Sequence, residues 1–430
     1  MTFYENTDSP ERVLLISVDT GDFNAEESIE ELALLVETAG GEAVVTSTQK
    51  LPSVNPATYV GSGRIQEIAE ICRTNEIDLI VADDELSPAQ LKNIEDLTDT
   101  RVIDRTMLIL DIFALRARSS EGKLQVELAQ LKYSLPFLTG KGKSLSRLGG
   151  GIGTRGPGES KLESDKRHMR RKIYALEEEL KQIEKRRNTM RSRRKKDGII
   201  SVAIVGYTNA GKSTLMNRLT DAGVLAEDKL FATLDPTARK LTLPNGQDVM
   251  LIDTVGLVRR LPHKLVEAFK STLEEAKNAD LILNVCDASS DECSEHLEVT
   301  ANLLRELECE QTPVISVMNK CDLVPDIYDL PTLGRAVMIS ALNGDGIDEL
   351  LSSIEEALPK NRARKKLLIP FDKGSIIAEI RKDGVIHSED YTENGTLIEA
   401  TVNIQYLEKI KQYIQLLNKH KKRTLERVFF

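Results

Sequence analysis

One stretch constrains this chain more than any other. Residues 199–205 form an apolar run that reads as a buried strand. It leads into Gly206, Tyr207, Thr208, Asn209, Ala210, Gly211, Lys212 and Ser213, and Thr214 to Leu219 reads as the start of a helix. Strand, glycine-bracketed turn and helix in that order are what a P-loop requires. The glycines let successive backbone N–H groups converge on one anion, and the helix N-terminus adds its dipole. Lys212 has the reach for the β- and γ-phosphates of a nucleotide, and Ser213 can place its hydroxyl on Mg²⁺.

Three further segments follow in the order that a GTP site needs. Asp253, Thr254, Val255 and Gly256 come after an apolar strand at 249–252. Asp253 would hold the Mg²⁺ shell through water, and the Gly256 N–H would meet the γ-phosphate. Asn319, Lys320, Cys321 and Asp322 follow a second apolar run at 314–318. The Asp322 carboxylate can accept from both N1–H and the 2-amino group of guanine, a pair that adenine lacks. Ser340, Ala341 and Leu342 follow residues 336–339 and offer backbone to the guanine O6. Each segment alone is weak; four at successive strand ends point to GTP/GDP with Mg²⁺. Phosphoryl transfer there rests on positioning and charge stabilisation.

A chain of 430 residues has room for two to four domains. Its net charge of -10 argues against a wholly basic nucleic-acid coat while leaving room for a local basic surface. The five cysteines, Cys72, Cys286, Cys293, Cys309 and Cys321, show no metal-ligand spacing and read as free thiols in a reducing compartment. The five histidines are scattered. No apolar run approaches membrane-spanning length, and the N-terminus shows no signal-peptide pattern. The expectation is a cytoplasmic protein, monomeric, with no membrane partner.

Residues 1–104 read as a small α/β unit. Strands are expected at 13–18, 43–45, 79–82 and 101–103, with helices at 28–39, 65–74 and from Ser87-Pro88. Alternation of this kind implies a mostly parallel sheet covered on both faces. Within it, the glycine turn at 59–64 invites a phosphate-site reading and Asp83-Asp84-Glu85 a metal-site reading. Neither has a full spacing, and a tight turn and a solvated strand end are the preferred readings.

Residues 105–197 read as a helical hairpin. Helices are expected at 105–115 and 124–133, interrupted at 116–122, and a long one at 160–196. Between them lies a glycine-rich loop containing a literal G-x-G-x-x-G from Gly151 to Gly156. A dinucleotide reading is rejected: no strand precedes it, and Pro157-Gly158 follows where a helix should already be running. The long helix carries dense positive clusters, Lys166 to Lys172 and Lys185 to Lys196. With few aromatics nearby, contact with the backbone of structured RNA fits better than base stacking. The third unit, 198–360, is the GTPase domain. The last, 361–430, reads as a small α+β domain with strands at 366–371 and 396–402, a helix at 374–382 between them, and a final helix from about Gln405.

Taken together, the glycine loop at 149–158 ahead of a basic helix, the P-loop, Phe231-Ala232-Thr233-Leu234-Asp235-Pro236-Thr237, Asp253 to Gly256 and Asn319 to Asp322 resemble the HflX GTPases of bacteria. The resemblance covers essentially the whole chain and is weakest in the tail. It implies an N-terminal region that binds the large (50S) ribosomal subunit, with the hairpin reaching toward the peptidyl-transferase region. It also implies a GTP-controlled role in splitting or rescuing ribosomes under stress, or in ribosome biogenesis. It carries Thr233 as the switch threonine that ligands Mg²⁺ and closes over the γ-phosphate, so Lys212, Thr233 and Gly256 are the catalytic candidates. Ser213, Thr233 and Asp253 are the metal candidates. Leu257 stands where many GTPases have a water-orienting glutamine, and a leucine cannot hydrogen-bond water. Two other classes remain: an ATP-dependent RNA remodeller with a second nucleotide site in the N-terminal unit, and a signalling GTPase with a protein partner.

Overall fold

The computed structural model describes residues 9–139, 157–196, 198–220, 230–231, 237–260, 274–309, 311–324, 335–358, 362–403, 406–407, 409–411 and 413–414. The glycine-rich tip at 140–156 and Ala232, Thr233, Leu234 and Asp235 lie outside the described residues.

Among the described residues, three sheets organise the chain. The first has the order β2-β1-β3-β4, all parallel, from β1 (Arg12–Asp19), β2 (Glu42–Lys50), β3 (Leu79–Ala82) and β4 (Arg101–Asp104). Its strands alternate between two apolar layers. Leu14, Ile16, Ile80 and Ala82 pack with α2 (Ser62–Thr74) and α3 (Pro88–Thr98). Val13, Leu15, Leu79 and Val81 pack with α1 (Ala25–Ala39) and α4 (Arg105–Arg116). Both faces are therefore covered, as an all-parallel sheet demands.

Local chemistry sets the helix ends. Asn24 caps α1 by accepting from the Glu26 and Glu27 amides, and Gly40, at φ 95°, ends it with its amide on Glu37. Ser87 and Gln90 form a reciprocal capping box on α3, with Pro88 at its first position. Burying Leu32 and Leu35 completely on α1 contributes about 2 kcal/mol each.

The expected interruption at 116–122 is a true break but shorter, 117–119, and Ser119 caps α5 (Ser120–Ser134) through the Gly122 amide. The long helix, α6, runs from Pro157 to Lys196, 40 residues and roughly 60 Å. The helix thus begins at Pro157 itself, where proline is tolerated because the first amides have no helical partner. That removes one ground for rejecting a dinucleotide loop. α5 and α6 run antiparallel: Glu121 pairs with Arg187 at 2.5 Å and Lys132, further along α5, with Glu177, earlier in α6, at 2.7 Å.

The second sheet has the order β10-β9-β8-β5-β7-β6. Five of its strands are parallel: β5 (Ile200–Gly206), β7 (Asp248–Asp253), β8 (Leu281–Asp287), β9 (Val314–Asn319) and β10 (Ala336–Met338). The edge strand β6 (Thr237–Thr242) is antiparallel to β7. α7 (Lys212–Thr220) and α9 (Ile347–Ala357) cover one face, and α8 (Cys293–Glu306) covers the other. The third sheet is antiparallel, β11-β13-β12, from β11 (Arg362–Ile369), β12 (Val385–Thr392) and β13 (Gly395–Asn403), packed by α10 (Gly374–Asp383). The sequence reading omits β12. No helix among the described residues is long and apolar enough to cross a membrane.

Candidate functional site

The parallel strands β5, β7, β9 and β10 all end on the same edge of the second sheet, and the four sequence segments follow those ends. Asn319 ties them together. Its Nδ2 donates to the Ala210 carbonyl at 2.9 Å, and its Oδ1 accepts the Ala341 amide at 2.9 Å. One buried side chain therefore fixes the P-loop and the 340–342 turn relative to each other. Gly211, at φ +88°, passes so close to Asn319 Nδ2 that a Cβ would overlap it. Ser340 and Ala341 are buried, whereas Leu342 is exposed and its carbonyl, with that of Ala341, accepts from Arg218. Lys320 sits at φ 62° and its ammonium meets Asp287 at 2.7 Å, leaving Asp322 exposed toward solvent.

Ser213 Oγ lies 3.0 Å from Asp253 Oδ2, so a hydroxyl and a buried carboxylate share one point at the head of α7. Lys212 is buried and donates to the Tyr207 carbonyl at 2.7 Å. Burial pulls its amine down to about 8, against the opposing charge of Asp253. A lysine so placed is short of negative charge. Thr208 Oγ1 is buried with no hydrogen-bond partner among the described residues. The loop with its helix N-terminus, an undercompensated amine and an unsatisfied hydroxyl fits a polyphosphate, and the Ser213–Asp253 pair offers the hard oxygen donors that Mg²⁺ prefers.

The segment after Asp253 closes across the P-loop. The Thr208 amide donates to the Leu257 carbonyl at 2.7 Å and the Leu257 amide to the Gly206 carbonyl at 3.2 Å. Gly256 sits so tightly that an added Cβ would be 2.7 Å from Thr208 Cγ2 and 3.1 Å from Lys212 Nζ. Leu257 is buried among Val205, Tyr207, Ala276 and Ile282, so its side chain serves packing.

Tyr207 turns its side chain away from the loop. Its hydroxyl donates to Glu31 of α1 at 2.7 Å and accepts the Arg259 amide at 2.6 Å, and its ring stacks on His296 at 3.8 Å. Burial drops His296 to about 4, so the ring is neutral. Arg259 pairs with Glu27, Glu292 and Glu295 at 2.7, 2.7 and 3.1 Å. Arg105 is buried between Glu31 and Asp83, 2.8 Å from each, and Arg260 reaches Asp83 and Asp84 while lying over Phe23. Phe231 packs edge-on against Phe113 at 4.7 Å, and Val255 and Val258 join the same cluster. The first sheet's helices and the nucleotide-proximal segment thus share one buried interface.

Two sequence readings change here. Asp83 is neither a metal ligand nor a solvated strand end: it is fully buried and satisfied by Ser17, Ser28, Arg105 and Arg260. The basic face of α6 is not uniformly free for RNA. Arg187 bridges Glu121 and Glu275, and Arg191 bridges Glu274 and Glu275, so both fasten the hairpin root to the second sheet's domain. Arg167, Arg170, Arg171, Lys185, Arg186 and Arg193 are exposed. The glycine turn at 59–64 is a tight turn, with Gly61 capping α2 and donating to Gln49. Nothing local in the sequence marks Glu31, Arg105 or Arg259, whose contacts span up to 232 residues of chain.

Comparison with known proteins agrees with this geometry. Family models described as GTP-binding GTPase N-terminal, GTP-binding GTPase Middle Region and 50S ribosome-binding GTPase match residues 26–114, 116–194 and 201–320. The chain is 50% identical to a GTPase HflX of Caldanaerobacter subterraneus over 404 residues, 94% of both chains. It is 41% identical to the GTPase HflX of Escherichia coli, covering 92% of this chain and 94% of that one. Among solved structures, a GTP-binding protein from Sulfolobus solfataricus in complex with GDP is 29% identical, covering 81% of this chain and 98% of that one, with a TM-score of 0.44. At this identity and coverage, the chain belongs to the HflX family of GTPases.

Proposed function

We propose that this GTPase binds the large ribosomal subunit through its N-terminal unit and the exposed arginines of α6, and that its nucleotide state governs how long it stays. The observation that carries the nucleotide half is the Asn319 bridge, which assembles the P-loop and the guanine-facing turn into one rigid site. In this reading Lys212 and the amides of 209–214 hold the β- and γ-phosphates, and the Gly256 amide meets the γ-phosphate. Asp322 accepts from the guanine edge, and Lys320 lies along the base. Ser213 and Asp253, with Thr233 from outside the described residues, would hold Mg²⁺, whose charge would offset that of the phosphoryl group.

Leu257 provides no group to orient water, and the segment carrying it is zipped to the P-loop. Hydrolysis by the free chain is therefore slow, and ordering on the subunit supplies what the side chain does not. GTP favours docking and hydrolysis favours release, because affinity and nucleotide state are linked. Such a cycle suits a monomer in the cytoplasm that splits or rescues ribosomes. The exposed basic residues of α6, in a chain of net charge -10, support RNA as the docking surface.

The test is co-sedimentation with purified large subunits in a GTP analogue, GDP or no nucleotide, paired with single-turnover hydrolysis. Pelleting should be strongest with the analogue. Subunits should speed hydrolysis at least about tenfold, about 1.4 kcal/mol off the barrier. Pelleting indifferent to nucleotide, with equal rates in both arms, refutes the cycle.

A further inference from the structure

Behind the guanine-facing loop, Cys286 near the end of β8 faces Cys293 at the first position of α8. Their Sγ atoms are 3.0 Å apart, and Cys286 Sγ also lies 3.4 Å from the Cys293 carbonyl. Both are buried, 2% and 3% exposed. A disulfide needs about 2.05 Å, so bonding requires an approach of about 1 Å. The residues between them form a short loop tied to its surroundings at several points. Asp287 holds the Lys320 ammonium at 2.7 Å, the Ala288 amide donates to the Asn319 carbonyl at 2.8 Å, and Glu292 holds Arg259 at 2.7 Å. The loop supports the guanine-facing segment at one end and the segment after Gly256 at the other.

We propose that Cys286 and Cys293 are a redox modification site: a hydroperoxide converts the pair into a disulfide, and the tightened loop weakens guanine-nucleotide binding. This rests on reading Asn319 to Asp322 as the guanine-binding segment.

Cys293 is the attacking thiol. The hydrogen bond with Cys286 lowers it, against the opposing effect of burial, and a helix N-terminus favours a thiolate. The thiolate attacks one peroxide oxygen, the O–O bond breaks, and the departing hydroxide takes up a proton as water, leaving a sulfenic acid on Cys293. The Cys286 sulfur then attacks the Cys293 sulfur. The S–O bond breaks, and a second water leaves with the Cys286 proton. Two thiols and one hydrogen peroxide give one disulfide and two waters, with two electrons passing from sulfur to peroxide. The pair is buried, so the oxidant proposed is a small one such as hydrogen peroxide and not a bulky disulfide. A reducing compartment resets the bond, which suits a transient switch.

The full chain is treated with a small excess of hydrogen peroxide. Thiols are then counted after denaturation, disulfide-linked peptides are mapped by mass, and binding of a fluorescent GDP is titrated before and after reduction. Five thiols should fall to three, with the linkage at Cys286–Cys293. The Kd for GDP should rise by about fivefold, the effect of losing about one hydrogen bond, and recover with dithiothreitol. Cys293→Ser should bind GDP as the parent does and ignore peroxide. Should that variant not fold, mapping and reversal on the parent chain decide. The proposal is overturned by five surviving thiols, by linkage to Cys321 instead, by a Cys286–Cys293 bond that leaves the Kd unchanged, or by equal peroxide sensitivity in Cys293→Ser. Failure of the untreated chain to bind GDP would instead refute the nucleotide-site reading, because thiol mapping is independent of it.

Discussion

Replacing Tyr207 by Phe removes one oxygen from the contact between the nucleotide-proximal segment and the N-terminal unit. The ring and its stack on His296 remain. Two hydrogen bonds are lost, the donation to Glu31 at 2.7 Å and the acceptance of the Arg259 amide at 2.6 Å. A bond to a charged partner is worth about 1.5–3 kcal/mol, a neutral one about 1. The second loss is partly recovered, because the Arg259 amide already lies 3.4 Å from Glu31 Oε1. Glu31 also keeps Arg105 at 2.8 Å, so its charge stays compensated. The net cost is that of one charged hydrogen bond, about 2 kcal/mol. It falls on the closed state of residues 254–260, which should open roughly thirtyfold more often at 1.36 kcal/mol per decade. Amide hydrogen exchange read by mass spectrometry on a peptide spanning 254–260 measures this directly. Affinity for GDP should change little, since the hydroxyl points away from the loop. Unchanged exchange over 254–260 would show that the hydroxyl does not hold the segment, and the argument would fail.

Asp322→Asn should weaken GTP binding roughly tenfold to a hundredfold by titration calorimetry, the loss expected for a charged hydrogen bond to the base; parental affinity would rule Asp322 out as the guanine acceptor. Changing Arg170, Arg171 and Arg186 to Gln should lower affinity for large subunits and flatten its salt dependence, whereas Arg187→Gln should act mainly on stability, through Glu121 and Glu275; an unaltered salt slope in the triple variant removes these arginines from the RNA contact. Lys212 should link proton and nucleotide binding. Its value in the free chain is about 8 against 10.5 unperturbed, so between those pH values the unfolded chain carries more protons and this group's contribution to stability rises with pH. Phosphates would restore the charge, so binding near pH 8.5 should take up part of a proton, measured by calorimetry in buffers of different ionisation enthalpy; zero uptake would place the amine elsewhere.

The nucleotide edge was legible because its chemistry is local. A P-loop needs its residues within one turn, and the apolar runs at 199–205, 249–252 and 314–318 became the parallel strands β5, β7 and β9. The first sheet was legible for the same reason, since runs such as Leu79 to Ala82 are buried on both sides. β12 was not, because Val385–Thr392 is a largely exposed edge strand with little apolar content, defined by its pairing with β13. Asp83 was misread because nothing near it in the chain announces a cation; Arg105 arrives from the start of α4 and Arg260 from another domain.

That last contact has a consequence for how the two halves work together. Arg259 and Arg260 lie only three and four positions beyond Gly256, yet their partners, Glu27, Asp83 and Asp84, belong to the N-terminal unit. Tyr207, inside the P-loop, touches Glu31 of the same unit. Three or four residues cannot absorb a displacement at Gly256 without loading these ion pairs, because the segment is also fixed at Leu257 by two backbone hydrogen bonds to the P-loop. A γ-phosphate that repositions Gly256 must therefore strain or re-seat the interface. A surface that repositions the N-terminal unit must by the same free energy alter nucleotide affinity. Parting the two units would cost the contacts that cross between them: Arg105 Nη2 on the Arg259 carbonyl at 3.3 Å, Arg259 on Glu27, and Arg260 on Asp83 and Asp84. Contacts of this kind re-seat in discrete arrangements rather than by degrees, the behaviour a nucleotide-controlled switch requires.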